Sequence, residues 1–461
     1  MPDGKVYLVG AGPGEVELIT VKGLRVIGSA DVVLYDHLLS MELLEAVRPG
    51  AEVISVGKFA GRHTLPQEEI NALLVAKAKE GKTVVRLKGG DCYLFGRGGE
   101  EVEACYEAGV EFEVVPGVTS ALAAPAYAGI PPTHRDYTSE VAVVTGHRKK
   151  GDTRPIEVPK AGTVIFLMSV GNLEHIVDSL LKQGWAAETP MACVEHGTWY
   201  DQRVVAGTVG NFLEVAAKAD LRTPGIFIVG RVVELREKLD WFSRRPNVLV
   251  LGNHPQRYKH LGNIVHRRII DCVAMEDYAA VDAVCGEIER FEWVIFTSVN
   301  GAKFLFERLY AAGKDARSLA GARIGAIGRT TAKRLLEYGI AADVVPEVES
   351  STGLVEALGA YEMAGRRVLL PQAEAAGREL PEGLAARGAE ITAAAVYRTV
   401  DVDPGEIDFA YIDTVLFTSG STVRAFVRRF GGLPEGVKAL ALGMPTQKVA
   451  RECGIEAEVL E

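Results

Sequence analysis

The chain opens with Val6-Tyr-Leu-Val9-Gly-Ala-Gly-Pro-Gly14, a short apolar run that ends in a glycine-rich turn. A helical stretch at 20–27 follows this turn. The same order of strand, turn and helix recurs along the chain, with β-branched runs alternating with helical stretches such as Gln67–Lys79 and 100–107. This alternation predicts an α/β fold with largely parallel sheets.

The predicted strands of the first half fall into two groups, and these groups predict two lobes, at about 1–115 and 118–240. The first group is 6–9, 31–35, 52–56, 83–87 and 111–115, and the second is 141–145, 163–167, 190–195, 203–206 and 225–229. Pro246 then precedes a fresh apolar run. It predicts a boundary between a domain at 1–245 and a domain at 246–461.

Composition and charge exclude several classes of protein. The 461 residues carry a net charge of −10, divided equally between the two halves, so nucleic acid is not expected as a partner. The apolar stretches, such as 163–170, are too short to span a bilayer, and no signal peptide precedes the first strand. The six cysteines form no CxxC pair. We therefore expect a reduced, cytoplasmic protein without a metal site.

The first glycine-rich turn leaves two cofactors open. A dinucleotide-binding turn needs glycines at positions 10, 12 and 15, but position 15 is Glu15, whose carboxylate would repel a pyrophosphate. Asp36 follows the second predicted strand, where such folds place the acidic residue that binds ribose, so an NAD-dependent oxidoreductase stays an alternative.

Two later glycine-containing turns are also candidate ligand-binding sites. Leu87-Lys-Gly-Gly-Asp91 ends a predicted strand without the GK[ST] of a phosphate-binding loop, and its glycines allow a ligand to approach the backbone closely. Pro116-Gly-Val-Thr-Ser-Ala-Leu-Ala-Ala124 enters a helix rich in small residues, which permits close packing of a ligand or of a second lobe. A tight surface turn and a buried helix are the structural alternatives.

Residues 5–242 closely resemble the uroporphyrinogen-III C-methyltransferases of the tetrapyrrole methylase family. The matching stretches are VGAGPGEVELITVKGLR, ADVVLYDHL, VGKFAGRHTLPQEEIN, VVRLKGGDCYLFGRGGEE, FEVVPGVTSALAAPAYAGIPPTHR, VTGH and VEHGT. This resemblance implies two α/β lobes with S-adenosylmethionine between them. The chain departs from the family at Cys92, which usually is Pro, and at Leu94, which usually is Val or Ile.

The resemblance also implies site residues. Those expected to bind the cofactor are Pro13, Gly89, Gly90, Asp91, Leu94, Thr119, Ser120, Met168 and Gly197. Asp36 is implied as a proton acceptor and Lys58 as a proton donor, and either role at neutral pH needs a perturbed environment. A helix-start cap or a salt bridge is the structural alternative for Asp36. A solvated cation or a clamp for a substrate carboxylate is the alternative for Lys58.

The implied substrate is an octacarboxylate, which basic side chains in turns are suited to bind. The candidates are Lys58, Arg62, His63, Arg97, His134, Arg135 and Arg148. Ordinary surface positions are the alternative for these cations. A homodimer formed through this half is a further expectation.

The second half contains an internal sequence repeat. Phe296-Thr-Ser-Val-Asn resembles Phe417-Thr-Ser-Gly-Ser, and Ile327-Gly-Arg-Thr-Thr331 resembles Leu442-Gly-Met-Pro-Thr446. The recurrence predicts a duplicated lobe, although hydroxyl residues are also common helix caps. Helix N-termini bind carboxylates without net positive charge. The candidate substrate-binding residues here are Thr297, Ser298, Thr331, Thr418 and Ser419.

This half resembles uroporphyrinogen-III synthase over about 246–458, through WVIFTSVNGAKFLFERL, IGAIGRTTAKRL, GRRVLLPQAEAAGRELPEGLAARGAEITAAAVYRTV and VLFTSGSTVRAFV. The resemblance implies two flavodoxin-like lobes, about 246–272 plus 400–461 and 274–397, and implies no cofactor. It also implies conversion of hydroxymethylbilane to uroporphyrinogen III. Tyr397 matches the cleft tyrosine of the family, whose hydroxyl is suited to assist departure of hydroxide. A half-buried Tyr with a satisfied hydroxyl is the alternative.

The two resemblances together predict a bifunctional enzyme that converts hydroxymethylbilane to uroporphyrinogen III and then to precorrin-2, which feeds sirohaem or cobalamin. A methyltransferase whose second half only binds tetrapyrroles is the alternative from another functional class. An assay of the isomer formed by residues 246–461 distinguishes an enzyme from a binding module.

Overall fold

A computed structural model describes residues 4–57, 65–146, 156–252 and 254–460. The chain divides into two compact units. The first unit comprises Met1–Asn247 with Leu261–Asn263, and the second comprises Val248–His260 with Ile264–Glu461. Each unit contains two five-stranded sheets.

The first sheet of the first unit consists of five parallel strands in the order β3-β2-β4-β1-β5. The strands and their helices are β1 Lys5–Gly10, α1 Val21–Ser29, β2 Val32–Tyr35, β3 Glu52–Ser55, α2 Gln67–Lys79, β4 Thr83–Lys88, α3 Gly98–Glu107 and β5 Glu111–Val115. Leu8 packs in one core cluster with Leu74 of α2, and Val9 packs in another with Ile27 of α1. Helices therefore cover both faces, as a parallel sheet requires.

The second sheet has the order β6-β7-β10-β8-β9, and only its β6–β7 pair is parallel. Its elements are α4 Ser120–Tyr127, β6 Val141–Thr145, β7 Thr163–Leu167, α5 Leu173–Lys182, β8 Pro190–Glu195, β9 Arg203–Thr208, α6 Phe212–Ala219, β10 Gly225–Val229 and α7 Arg236–Leu239. The expectation of largely parallel sheets is thus wrong for this sheet. Only residues 196–202 connect β8 to β9, and so short a connection cannot cross over to a parallel neighbour.

The first sheet of the second unit has the order β12-β11-β18-β19-β20, and its last three pairs are parallel. The sheet begins with β11 Asn247–Val250 and β12 Asn263–His266. Its remaining elements are the last five of the chain, β18 Thr414–Phe417, α13 Gly420–Phe430, β19 Lys438–Ala441, α14 Met444–Glu452 and β20 Glu458–Val459.

The second sheet of this unit is built from the chain between β12 and β18, in the order β13-β17-β16-β14-β15. The elements are β13 Ile270–Ala274, α8 Ala279–Gly286, β14 Trp293–Phe296, α9 Val299–Ala311, β15 Arg323–Ala326, α10 Arg329–Glu337, α11 Ser351–Ala357, β16 Arg367–Ala373, α12 Glu379–Ala385 and β17 Glu390–Asp401.

The inserted sheet extends slightly beyond the limits expected for its lobe. β13 pairs antiparallel with β17 from Ile270 to Ala274 and from Asp401 to Tyr397. The sheet therefore begins before residue 274 and ends after residue 397. Its outermost residues belong to the five pairs that join β13 to β17.

Candidate functional site

A cavity of about 470 Å³ opens in the first unit, where the carboxyl ends of β1 and β4 meet. The nine residues that the sequence predicts to bind the cofactor all line it, namely Pro13, Gly89, Gly90, Asp91, Leu94, Thr119, Ser120, Met168 and Gly197. Ligands of open α/β sheets bind at this edge, because the turns that follow parallel strands converge there. The fold thus brings together residues that lie up to 184 positions apart in the sequence.

Glycines allow the turns around this cavity to touch through their backbones. The amide of Gly90 donates to the carbonyl of Gly12 at 2.7 Å, and the amide of Gly12 donates to the carbonyl of Gly90 at 3.2 Å. A Cβ on Gly10 would lie 2.5 Å from the Cα of Gly117, a separation that carbon atoms do not tolerate. Side chains at Gly10 or Gly117 would push the turns of β1, β4 and β5 apart.

The carboxylate of Asp91 organises the same turns. One oxygen accepts hydrogen bonds from the amides of Tyr93 at 2.8 Å and Leu94 at 3.0 Å, and the other accepts from the amide of Gly117 at 3.0 Å. These bonds hold the loop even though Cys92 replaces the proline of the family pattern. Cys92 is fully buried, and burial raises the pKa of its thiol to about 12.

The opposite wall of the cavity comes from the segment after β8. The imidazole of His196 lies between two acceptors, the Asp201 carboxylate at 2.8 Å and the Thr223 carbonyl at 3.3 Å. The hydrogen bond to Asp201 is the main cause of a raised pKa for His196. Both ring nitrogens face acceptors, so the protonated imidazolium fits this position best.

Asp36 also lines the cavity, directly after β2. One of its carboxylate oxygens accepts from the amides of Leu38 and Gly89, each at 3.3 Å, and the other lies 3.5 Å from a guanidinium nitrogen of Arg86. Its side chain is one quarter exposed. Asp36 is therefore held from two sides while its carboxylate still faces the cavity, a geometry that suits a proton acceptor.

Sequence reasoning missed three charged residues under this site. Arg86 and Lys88 point to the same face of β4, the central strand of its sheet, and Glu101 of α3 lies between them. A signal was present, because two cations spaced by two residues in a buried strand require a carboxylate from a neighbouring element. Lys88 itself lines the cavity.

The hydroxyl residues predicted in the second unit occupy three kinds of position, which are helix caps, the first turn of a helix and the residue after a strand. Ser298 and Ser419 are helix caps, since their side chains accept from the amides of Gly301 at 2.9 Å and Thr422 at 3.3 Å. Thr331 lies buried in the first turn of α10. Thr297 and Thr418 follow the ends of β14 and β18 in equivalent positions and are partly buried. The cap explanation therefore accounts for the two serines.

Tyr397 lies within β17, next to one of these caps. Its hydroxyl is 3.2 Å from the hydroxyl of Ser298, and its ring stacks on Phe304 with the ring centroids 5.5 Å apart. Burial raises the pKa of Tyr397, and the hydrogen bond to Ser298 partly opposes this effect. The phenol is thus kept protonated, as an acid that assists a leaving group must be.

Comparison with known proteins assigns both units. Residues 5–213 match the family model of tetrapyrrole (corrin/porphyrin) methylases, and residues 258–461 match that of uroporphyrinogen-III synthase HemD. A "porphyrin biosynthesis protein HemD" of Ruminiclostridium josui is 37% identical over the whole of this chain and 96% of its own length. The chain belongs to these two families.

Two further similarities concern the methylase half. An "S-adenosyl-L-methionine-dependent uroporphyrinogen III methyltransferase" of Methanosarcina barkeri is 51% identical over 51% of this chain and 94% of its own. The crystal structure of a uroporphyrin-III-C-methyltransferase from Thermus thermophilus is 42% identical, with a TM-score of 0.44, and covers 51% of this chain and 96% of its own.

Among the cations predicted to bind substrate, the structure describes Arg97, His134 and Arg135. Lys58, Arg62, His63 and Arg148 lie outside the described residues. Arg97 forms an ion pair with Glu100 at 2.6 Å, and Arg135 is exposed. Neither belongs to the described residues that line the cavity.

Within the described ranges, no helix combines the length and the apolar character needed to cross a bilayer. The same ranges contain no group of three or more His, Cys, Asp or Glu placed to hold a metal ion.

Proposed function

We propose that this chain is a bifunctional enzyme of tetrapyrrole biosynthesis. The synthase half cyclises hydroxymethylbilane to uroporphyrinogen III with inversion of ring D, and the methylase half transfers two methyl groups from S-adenosylmethionine to give precorrin-2, for sirohaem or cobalamin. The two family matches on one chain support this assignment, and so does the full-length similarity to a porphyrin biosynthesis protein. The limits 1–245 and 246–461 are proposed as the two functional units.

The single observation that carries the methylase assignment is the convergence of nine expected cofactor residues on one cavity. Its volume lies within the roughly 300–1,000 Å³ of small-molecule sites. A Cβ on Gly90 would enter open space, with the amide nitrogen of Ser120 as its nearest neighbour at 3.9 Å, so the backbone there leaves room for a ligand. These residues fit S-adenosylmethionine.

S-adenosylmethionine supplies an electrophilic methyl group on a sulfonium. The residues of the chain then have two tasks, which are to orient the reactants and to accept a proton. Each pyrrole carbon that gains a methyl cation requires the macrocycle to lose one proton, and the carboxylate of Asp36 faces the cavity as its acceptor. The hydrogen bonds from Leu38 and Gly89 keep that carboxylate in place.

In the synthase half, Tyr397 is proposed as the acid that assists departure of the hydroxyl group of hydroxymethylbilane. The phenol donates its proton to the leaving hydroxide, so that water forms, and the Ser298 hydroxyl at 3.2 Å is placed to return a hydrogen bond. No cofactor is needed for this step. The five hydroxyl residues stay proposed contacts of the substrate, namely Thr297, Ser298, Thr331, Thr418 and Ser419.

Three further properties concern the cellular compartment, the oligomeric state and the partners. The six cysteines are all free thiols, which fits a reducing cytoplasm. Val21 and Leu24 are exposed on α1, and this apolar surface supports a homodimer through the methylase half. The partners are small-molecule substrates, with neither nucleic acid nor membrane.

The test is to incubate the full chain with hydroxymethylbilane, with and without S-adenosylmethionine, and to identify the products by chromatography and mass. We expect uroporphyrinogen III without the methyl donor and precorrin-2 with it. Formation of only the unrearranged isomer I would show that the second half merely binds tetrapyrroles. Calorimetry with S-adenosylhomocysteine and with NAD separates the methylase from an oxidoreductase, since tighter binding of NAD contradicts the proposal.

A further inference from the structure

Two cations and a carboxylate are almost completely buried beneath the methylase cavity. Arg86, Lys88 and Glu101 are 4%, 5% and 0% exposed. One oxygen of Glu101 accepts from Arg86 Nε at 3.0 Å, from Lys88 Nζ at 3.0 Å and from Gln67 Nε2 at 3.2 Å. The other oxygen is buried and has no hydrogen-bond partner among the described residues.

Fold stability alone does not explain this cluster. Removing charges from water is so costly that well-packed apolar residues often stabilise a core as well as a buried ion pair does. Val84, on the same face of β4, packs in the apolar cluster beside α3 and shows that this face accepts an apolar side chain. The charges are therefore expected to serve the site above them.

The guanidinium of Arg86 connects Glu101 to that site. Its Nε donates to Glu101, its Nη1 donates to the carbonyl of Leu87 at 3.0 Å, and its Nη2 lies 3.5 Å from the carboxylate of Asp36. A guanidinium is planar and rigid, so fixing one edge also fixes the direction of the other. Loss of Glu101 would free the Nε edge and, with it, the edge that faces Asp36.

Lys88 depends on the same carboxylate. Burial lowers its pKa, the neighbouring Arg86 lowers it further, and Glu101 acts in the opposite direction. Glu101 thus balances both cations of β4, one of which lines the cavity.

We propose that Glu101 is a positioning residue of the methyl-transfer site, which holds the Asp36 carboxylate in its orientation through Arg86. The role of that carboxylate in the reaction rests on the proposed function, whereas its orientation does not.

The orientation of the Asp36 carboxylate can be followed by NMR, without an activity assay. Labelling with ¹³C-carbonyl histidine and ¹⁵N-leucine selects only two peptide bonds, His37–Leu38 and His260–Leu261, and the second is an internal reference. The Leu38 amide donates to Asp36, so Asp36→Asn identifies its signal. We expect Glu101→Gln to move the Leu38 signal and Glu103→Gln, an exposed position on the same helix, to leave it unchanged. An unmoved Leu38 signal in folded Glu101→Gln overturns the proposal.

Kinetics give the second readout. We expect Glu101→Gln to lower the turnover of methyl transfer about 10- to 100-fold, the size of effect expected when a reacting group is displaced by about 1 Å, with unchanged affinity for S-adenosylhomocysteine. The double variant Asp36→Asn/Glu101→Gln should be no slower than Asp36→Asn, because a positioning role places the effect of Glu101 on turnover in the Asp36 carboxylate. Losses that multiply would indicate a merely structural role and refute the proposal.

Two further variants serve as a conservative replacement and as a substitute in case Glu101→Gln does not fold. Glu101→Asp should restore part of the lost turnover, since it keeps a carboxylate. If Glu101→Gln does not fold, Arg86→Lys takes its place, because it keeps the charge and loses the planar guanidinium. It should also move the Leu38 signal. A wild-type chain that does not methylate uroporphyrinogen III contradicts the proposed function, while the Leu38 signal still decides the positioning role.

Discussion

The indole N–H of Trp199 donates a hydrogen bond to the carbonyl oxygen of Pro13 at 3.3 Å, and thereby joins two turns that lie 186 residues apart in the sequence. Both residues line the methylase cavity. Gly14 makes this contact possible, because a Cβ there would lie 2.1 Å from the indole nitrogen. The adjacent Thr198 hydroxyl accepts from the amide of Glu15 at 3.0 Å, so the first glycine-rich turn is held from the opposite wall.

Trp199→Phe removes this hydrogen bond while keeping an aromatic side chain. A single hydrogen bond is worth about 0.5–1.5 kcal/mol, so we expect S-adenosylhomocysteine to bind about 2- to 10-fold more weakly, as measured by calorimetry. Trp241→Phe is the matched control, since its indole also donates to a carbonyl, that of Ala126 at 3.1 Å, but does not belong to the described lining of the cavity. Equal losses in both variants would contradict a specific role for Trp199.

Asp36→Asn should reduce methyl transfer by about 10²- to 10⁴-fold, the usual contribution of a positioned base. Affinity for S-adenosylhomocysteine should change little, because an amide oxygen still accepts from the amides of Leu38 and Gly89. Asp178→Asn, at an exposed ion pair with Lys182, is the control. If Asp36→Asn loses affinity in proportion to activity, Asp36 is a pocket residue and not a proton acceptor.

The His196 interaction predicts a pH dependence of stability. A histidine whose pKa is raised in the folded state contributes stability that is fully present below its unfolded value of about 6.5 and is lost as the pH rises through the folded pKa. We therefore expect His196→Asn to lower the melting temperature more at pH 6 than at pH 9. Asparagine tolerates the positive φ of 45° at this position.

Asp201→Asn is the partner variant for this measurement, because it removes the main cause of the raised pKa. It should lower the melting temperature with the same pH dependence as His196→Asn. A loss that is equal at both pH values would mean that the imidazole contributes packing and not charge.

Tyr397→Phe keeps the ring that stacks on Phe304 and removes only the hydroxyl. We expect formation of uroporphyrinogen III to fall about 10²-fold or more, as measured by separation of isomers I and III. Tyr278→Phe is the control in the same core cluster, since its hydroxyl donates to the Val396 carbonyl at 3.2 Å and plays no part in the proposed chemistry. Comparable losses in both variants would identify Tyr397 as a structural residue.

Local sequence patterns predicted the helix Gln67–Lys79, which the structure confirms. They also predicted a general alternation of strands and helices, which is interrupted where β8 leads to β9 and β12 to β13 without a helix between them. They also identified the glycine-rich turns, because the freedom of a glycine to bring backbones together is a property of the residue itself. The antiparallel pairing of the second sheet was not predicted, since strand direction depends on how the chain returns between strands and not on the pattern within any of them.

The cofactor positions came from resemblance to a family, and their convergence on one cavity is a result of the fold. No local pattern in the sequence relates Arg86 to Glu101 or Trp199 to Pro13, because these contacts join separate elements. The order of chemical groups along the chain, the strand-forming runs and the turn residues were determined by the sequence alone. Only the tertiary structure decided which charges neutralise each other in the core and which turns close the cavity. The reason is that electrostatic and hydrogen-bond energies depend on distances in space and not on separation along the chain.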